Sequence, residues 1–301
     1  MDKQCPKIVW LALVGALFSW ASAYIGIRIG LTQYSPGGFG LLRFIAASLT
    51  MLVIYLRLPH RNGLQWRDAS SIFLLGVIGF ALYSVTLNYG EITVQAAIAG
   101  FLIATIPIGM IILARIFLKE KPTLRGLMGI FISFTGIILI SLGESEGVKF
   151  NFGVLYILCA VVAGSIYSTF QKSLLMRYHP IEFTAYTIWS GTLALAFYTP
   201  QLWHELPHAS LKATLWGIYL GIFPAALGYL AWSYVIRYIT IAKAASTLYI
   251  VPVISIFLGW FFINEMPNRI SLLGGFVVLT GAIIVNYRKR IRKRDTQTQL
   301  N

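Results

Sequence analysis

The chain has 301 residues, of which 57% are hydrophobic and only 11% charged, with a mean hydropathy of +0.75. About a quarter of the residues of a soluble domain are charged, so this composition points to lipid as the solvent and excludes an ordinary soluble enzyme. The net charge of +14 does not mark a nucleic-acid protein, because no soluble domain is available to carry a basic face and the charges fall at the ends of apolar runs. With two cysteines, Cys5 in the N-terminal tail and Cys159 inside an apolar run, no disulfide framework or thiolate metal site is indicated.

Crossing about 30 Å of hydrocarbon takes about 20 helical residues. Ten runs approach or meet that length, predicting an all-α membrane protein. The first five are Ile8–Ile27, Gly38–Leu56, Ala69–Leu87, Ala96–Leu113 and Leu124–Leu142. The second five are Phe152–Phe170, Ile181–Thr199, Ala213–Tyr234, Ala244–Ile263 and Ile270–Tyr287. Their continuous apolar character favours helices over barrel strands, which alternate over about ten residues. The connections are short and carry turn residues, as in Ser35-Pro36-Gly37-Gly38. Lys3 and Lys7 followed by a run ending in Ala21-Ser22-Ala23 have the look of a cleaved signal peptide. The run is read instead as the first span, since cleavage would leave nine spans.

Orientation follows from the basic residues of alternate loops. With the N-terminus inside, 18 of the 24 Lys and Arg lie on the cytoplasmic side and four (Arg28, Lys149, Lys212, Arg269) on the outer side, while Arg43 and Arg115 lie within spans. Both termini are therefore expected in the cytoplasm, at a cell inner (plasma) membrane. The tail from Arg288 to Arg294 is expected to hold the last helix at anionic headgroups.

An internal repeat runs through the chain at a constant offset of 145 residues. From Ala97 to Ile138, 14 of 42 positions are identical to those from Ala242 to Ile283. Apolar bias supplies some Ile and Leu matches, but not the paired Pro107/Pro252, Glu120-x-Pro122/Glu265-x-Pro267 and Thr135-Gly136/Thr280-Gly281. A repeat of five spans is odd in number, so the copies must be inverted in the membrane, the architecture of secondary transporters. The predicted units are residues 1–142, 152–287 and a basic tail at 288–301.

These motifs resemble the EamA-type branch of the drug/metabolite transporter superfamily. The likeness lies in Pro36-Gly-Gly-Phe-Gly-Leu-Leu-Arg43-Phe, in Ile92-Thr-Val-Gln-Ala-Ala through Ile106-Pro107, and in Phe117-Leu-Lys-Glu120-Lys-Pro122-Thr. Gly129…Thr135-Gly136 completes it, with the second-half echoes ending in Asn264-Glu265-Met266-Pro267. The resemblance covers roughly residues 8 to 287. It implies a ten-span inner-membrane carrier with a central cavity lined by spans 1, 3, 4, 6, 8 and 9, in a group many of whose members export amino acids. The second half departs from it at His179-Pro180-Ile181-Glu182-Phe183, where no arginine follows in the place of Arg43.

None of the acidic residues lies near the middle of a span, which removes the usual device for a proton relay, a desolvated carboxyl at membrane depth. Glu91 and Glu182, near span ends, are the only candidates, against a solvated helix terminus as the plain reading. The four histidines fall in loops, and no Gly-x4-Gly-Lys-Ser/Thr phosphate loop occurs. No cofactor or metal is expected.

Arg43 lies within the second span, about 7–8 Å from its outer end at 1.5 Å per residue. One reading makes it a contact for a substrate carboxylate, or a gate partner of an outer acid such as Glu265. The other, favoured by its position after Pro36, is a snorkelling or carbonyl-bonded structural arginine. Hydroxyls and amides orient a zwitterion and ring faces accept an ammonium, so the binding candidates are Trp20, Tyr24, Tyr83, Asn88, Thr105, Tyr167, Tyr229, Trp232, Ser233 and Tyr249. Pro107 and Pro252, in the middle of spans 4 and 9, are hinge candidates. The expected function is movement of a small polar metabolite, an amino acid or derivative, outward by alternating access, the protein acting as a monomer or weak homodimer. The alternatives are a multidrug or nucleoside-type carrier of the same fold, a membrane-embedded lipid enzyme, and a non-transporting scaffold. The enzyme would need a nucleophile–base pair or metal ligands at membrane depth, and none is found.

Overall fold

A computed structural model describes residues 7–61, 63–94, 96–144, 152–254, 258 and 269–286. Gln95, the motif Asn264-Glu265-Met266-Pro267 and the tail 288–301 lie outside the described residues, as does the side chain of Tyr24.

The described residues form helices and no strand, as expected where lipid offers the backbone no partner. In chain order these are α1 (Lys7–Gly30), α2 (Pro36–Leu56), α3 (Trp66–Gly76), α4 (Tyr83–Thr93), α5 (Ala96–Ile103), α6 (Ile106–Phe117) and α7 (Leu124–Glu144). There follow α8 (Phe152–Leu175), α9 (Pro180–Leu195), α10 (Thr199–Glu205), α11 (Leu211–Leu220), α12 (Tyr229–Tyr238), α13 (Ile241–Leu248) and α14 (Arg269–Asn286). Five continuous helical stretches are long and apolar enough to cross a membrane: Trp10–Gly30, Pro36–Leu56, Trp66–Thr93, Phe152–Leu175 and Leu211–Tyr238. Ile106–Phe117, Leu124–Leu139, Ile241–Ile254 and Leu272–Ile284 are apolar but shorter.

Helix starts are built as the turn residues suggest. The Ser35 hydroxyl accepts from Gly38 N–H at 3.1 Å with Pro36 opening α2, and the Ser210 hydroxyl accepts from Ala213 N–H at 3.3 Å at the start of α11. At α9, His179 Nδ1 accepts from Ile181 N–H at 3.3 Å, and the Glu182 carboxylate accepts from His179 N–H at 3.2 Å. Burial, reinforced by Arg237, pushes the His179 imidazole below its ordinary range. Of the histidines expected in loops, His204 lies instead within α10, its carbonyl satisfied by His208 Nδ1 at 2.9 Å.

Four long runs depart from simple helices. The third predicted span is one continuous path from Trp66 to Thr93, longer than Ala69–Leu87, with a π-helical segment at Val77–Leu82 between α3 and α4. The eighth carries the matching device, π-helical at Gly221–Gly228 and containing Pro224. The fourth is two helices, α5 and α6, separated by a turn at Ala104–Thr105. Pro107 therefore sits in the first turn of α6 rather than inside a continuous helix, where its missing N–H leaves no bond unmade. In the ninth, the corresponding turn falls at Tyr249, after α13, and Pro252 lies in the short helical stretch that follows.

Contacts repeat reciprocally between the halves. A Cβ on Gly136 would stand 2.6 Å from Gly274 O, and one on Gly281 would collide with Gly129 O, so α7 and α14 touch backbone to backbone through two residue pairs related by the sequence offset. Ser133 Oγ also donates to Val278 O at 3.1 Å. Between α2 and α9, Ser48 Oγ and Thr192 Oγ1 share a hydrogen bond of 2.7 Å. The Tyr-x-Pro turns behave alike: Tyr34 OH meets Thr214 Oγ1 at the start of α11 at 2.6 Å, and Tyr178 OH donates to Asp68 at the start of α3 at 3.2 Å. Asp68 is buried and also paired with Arg177 at 2.7 Å.

Candidate functional site

α1, α4, α5, α6, α8, α12, the two π-helical segments, the end of α13 and the stretch after it enclose a central cavity of about 130 Å³. The lining runs from Ile27, Leu87 and Gly100, near the face where α1 ends and α2 begins (the Gly30 face), down to Ser168 and Trp232. These are the spans expected to line it, with one addition: Arg43 of α2.

Local sequence explains the room. Gly79 lies within the first π-helical segment, where a Cβ would collide with the ring of Tyr167. Gly164 on α8 leaves space for the Tyr83 ring, since a Cβ there would stand 3.3 Å from Tyr83 Cε2. Gly100 has open space at its Cβ position. In the second π-helical segment the Pro224 carbonyl accepts the Trp20 indole N–H at 3.0 Å, fixing the ring at the wall.

Aromatic rings form one continuous wall. Trp20 meets Tyr229 with centroids 5.4 Å apart and Trp232 at 5.6 Å, both edge-on, and Tyr229 meets Tyr167 at 5.8 Å. Phe80 packs behind them, 4.8 Å from both Tyr167 and Tyr229. Edge-to-face packing of this kind fixes ring orientation and leaves faces available to a cation.

Arg43 is 8% exposed, and its Nε and Nη1 are buried without a hydrogen-bond partner. No carbonyl takes either of these two groups, and the side chain lines the cavity. Its electrostatic neighbours are Tyr229, Tyr83 and Glu91. Glu91, at the end of α4, has its Oε1 buried without a hydrogen bond, within electrostatic reach of Arg43 and Arg28.

Of the other candidates, Trp20, Tyr83, Tyr167, Tyr229 and Trp232 come together around the cavity, with Pro252 among the lining residues. Asn88, Thr105, Ser233 and Tyr249 do not line it. Asn88 donates to Pro36 O at 2.8 Å, and the Thr105 hydroxyl closes the end of α5 by donating to Leu102 O at 2.6 Å. Tyr249 is fully buried in the turn of its span. Glu182 is buried in the cap of α9 rather than solvated. The glycines and apolar residues of the lining escape a search by hydrogen-bonding and ring chemistry, because Gly79, Gly100 and Gly164 act by what they lack.

Towards the opposite, Lys7 face the path is closed in two layers. Thr184, Ser233 and Gln171, all fully buried, are linked by bonds of 2.9 and 3.5 Å. Beyond them Glu120 joins three elements: it takes Lys172 Nζ at 2.8 Å and Ile241 N–H at 3.1 Å, while Lys172 also donates to Ile239 O at 2.9 Å. Lys119 adopts the left-handed conformation, φ 54°, immediately before it.

A family model described as the EamA-like transporter family matches residues 7–142 and again 151–287. The chain is 38% identical over 274 residues to the uncharacterized transporter YdfC of Bacillus subtilis (strain 168), covering 90% of this chain and 88% of that one. It is 32% identical over 295 residues, 98% of each chain, to a protein of Streptantibioticus cattleyicolor named as a probable terminal-alkyne amino-acid exporter. A solved crystal structure 16% identical in sequence superposes with a TM-score of 0.76 over 93% of this chain and 96% of that one, a likeness of fold alone.

Proposed function

The chain belongs to the EamA-like transporter family, a multi-pass membrane transporter of small molecules and not an enzyme, and from that premise we propose that it moves an amino acid or a close derivative by alternating access. The observation that carries this reading is the central cavity, walled by rings and a single guanidinium and contributed by helices of both halves. Its volume of about 130 Å³ is under the 300–1,000 Å³ of drug-sized sites, which favours a small metabolite over a multidrug or nucleoside-type cargo. The amino-acid assignment of the Streptantibioticus relative points the same way.

The proposal includes ten spans in two inverted five-helix units, residues 1–142 and 152–287. The reciprocal contacts of Gly136 with Gly274 and Gly281 with Gly129, and the matched π-helical segments, support it. Two packings of near-equal energy related by such symmetry open one site to either face in turn. With 18 basic residues on one side, the Lys7 face is assigned to the cytoplasm of an inner membrane, both termini included, and this conformation is the outward-opening one. Export is the favoured direction. Trp20, Tyr83, Tyr167, Tyr229 and Trp232 form the binding wall, and the turns before Pro107 and Pro252 are the hinges.

Counterflow into proteoliposomes holding the purified protein tests the reading, using labelled leucine, a labelled nucleoside and a lipophilic cation. Saturable leucine exchange is expected, reduced about tenfold or more in a Trp20→Ala, Tyr229→Ala double variant. Exchange of the lipophilic cation with indifference to amino acids would reject the assignment.

A further inference from the structure

Burying a guanidinium without partners at membrane depth is unfavourable, and such groups in transport proteins mark the path of what is carried. Arg43 meets that description: it is 8% exposed, lines the cavity, and keeps Nε and Nη1 free of any hydrogen bond. Each of those N–H groups is a charged donor with no partner, and a carboxylate oxygen is the acceptor a guanidinium binds best. No other Lys or Arg, and no Asp or Glu, occurs among the described lining residues. The remainder of the wall is ring faces and aliphatic side chains such as Ile103, Ile106, Leu248 and Val251.

We infer that Arg43 is the anchor for a single carboxylate, and that the substrate class is small monocarboxylates with an uncharged, apolar body, aliphatic amino acids among them; this rests on the carrier reading above. The carboxylate accepts from the unpaired N–H groups of the guanidinium. An α-ammonium lies against the faces of Trp20 and Tyr229, whose attraction for a cation needs no partner acid. A second carboxylate finds no second cation in the described lining, and a charged side chain finds no counter-ion, so dicarboxylic and dibasic amino acids are poor substrates.

The test is leucine counterflow by the full-length protein, with competition by leucinamide, 3-methylbutylamine, 4-methylpentanoate and aspartate. In parallel, thermal unfolding of the purified protein is followed with 4-methylpentanoate and with its amide. Leucine and 4-methylpentanoate are expected to compete about 10- to 100-fold better than the amide, the amine and aspartate. Arg43→Gln is expected to level leucine with leucinamide, whereas Arg43→Lys keeps the carboxylate preference at lower affinity. Equal competition by leucine and leucinamide in the wild type overturns the inference, as does an Arg43→Gln protein that retains the wild-type ratio. Should Arg43→Gln not fold, the wild-type ratio and Arg43→Lys decide. If leucine is not exchanged at all, the amino-acid reading fails separately. Carboxylate-selective stabilisation lost on removing the guanidinium then still upholds the anchor, and its absence rejects it.

Discussion

At the scale of single residues, the cavity is shaped as much by missing side chains as by present ones. Gly164 faces Tyr83 and Ile106, and a Cβ there would lie 2.9 Å from Ile106 Cδ1, the end of a flexible chain. Gly164→Leu is therefore expected to fold, fill the cavity and lower leucine exchange about tenfold, measured as initial counterflow rate against unchanged yield and melting temperature. Wild-type exchange by that variant would contradict the cavity's role. Which residues meet here was partly legible in the sequence. Trp20, Tyr83, Tyr167, Tyr229 and Trp232 announce themselves as rings inside apolar runs, and they line the cavity. Ser233, Thr105 and Asn88 are equally polar in the sequence, yet their groups serve helix ends and interhelical bonds, since in lipid every hydroxyl and amide must find a local partner first. Arg43 was legible as an intramembrane charge, but the distinction between a carbonyl-bonded guanidinium and an unpaired one depends on neighbours that sequence does not reveal.

At the scale of elements, length and hydropathy marked where helices occur among the described residues, because burial of the backbone in lipid leaves helices as the economical solution; the expected end of the ninth run at Ile263 lies outside those residues. The internal irregularities were less visible. A π-helical turn differs from an α-helical one by a single residue and leaves no hydrophobic signature, so Val77–Leu82 and Gly221–Gly228 were hidden inside apolar stretches. Pro107 and Pro252 were read as lying in the middle of their spans, and both spans are interrupted by a turn that precedes the proline. The turn precedes Pro107 at Ala104–Thr105, consistent with a residue well suited to starting a helix. The α7–α14 pair supplies a test at this scale. Gly136→Leu drives a side chain into the Gly274 carbonyl and the Val278 backbone, neither of which can rotate away. Destabilisation of about 1–3 kcal/mol is expected by thermal or denaturant unfolding, while Phe131→Leu, on the exposed face of the same helix, is expected to be near neutral. Equal effects would show that the glycine contact does not hold the pair together.

At the scale of the whole molecule, the two faces are sealed unequally. The lining reaches Ile27, Leu87 and Gly100 towards the Gly30 face, whereas the Lys7 face is closed by the Thr184–Ser233–Gln171 layer and by Glu120 binding both Lys172 and the first turn of α13. Glu120 belongs to the Glu-x-Pro motif that made the repeat recognisable, and its bonds give that motif a physical role, tying the start of the ninth run to the end of the sixth. Partly exposed ion pairs contribute little to stability on average, about 0–1 kcal/mol, but a contribution of that size is enough to move a balance between two packings of near-equal energy. The most direct measurement is the reactivity of two single cysteines, Gly100→Cys on the open wall and Ser233→Cys beneath the cavity, in a protein whose native cysteines are replaced by serine. Both are treated with a membrane-impermeant maleimide in proteoliposomes, with and without Glu120→Gln. An alternating carrier predicts fast labelling at Gly100→Cys and slow labelling at Ser233→Cys, with the ratio shifting towards Ser233→Cys when Glu120 is neutralised. Labelling at both positions that ignores Glu120→Gln would contradict a cavity exposed to the two faces in turn.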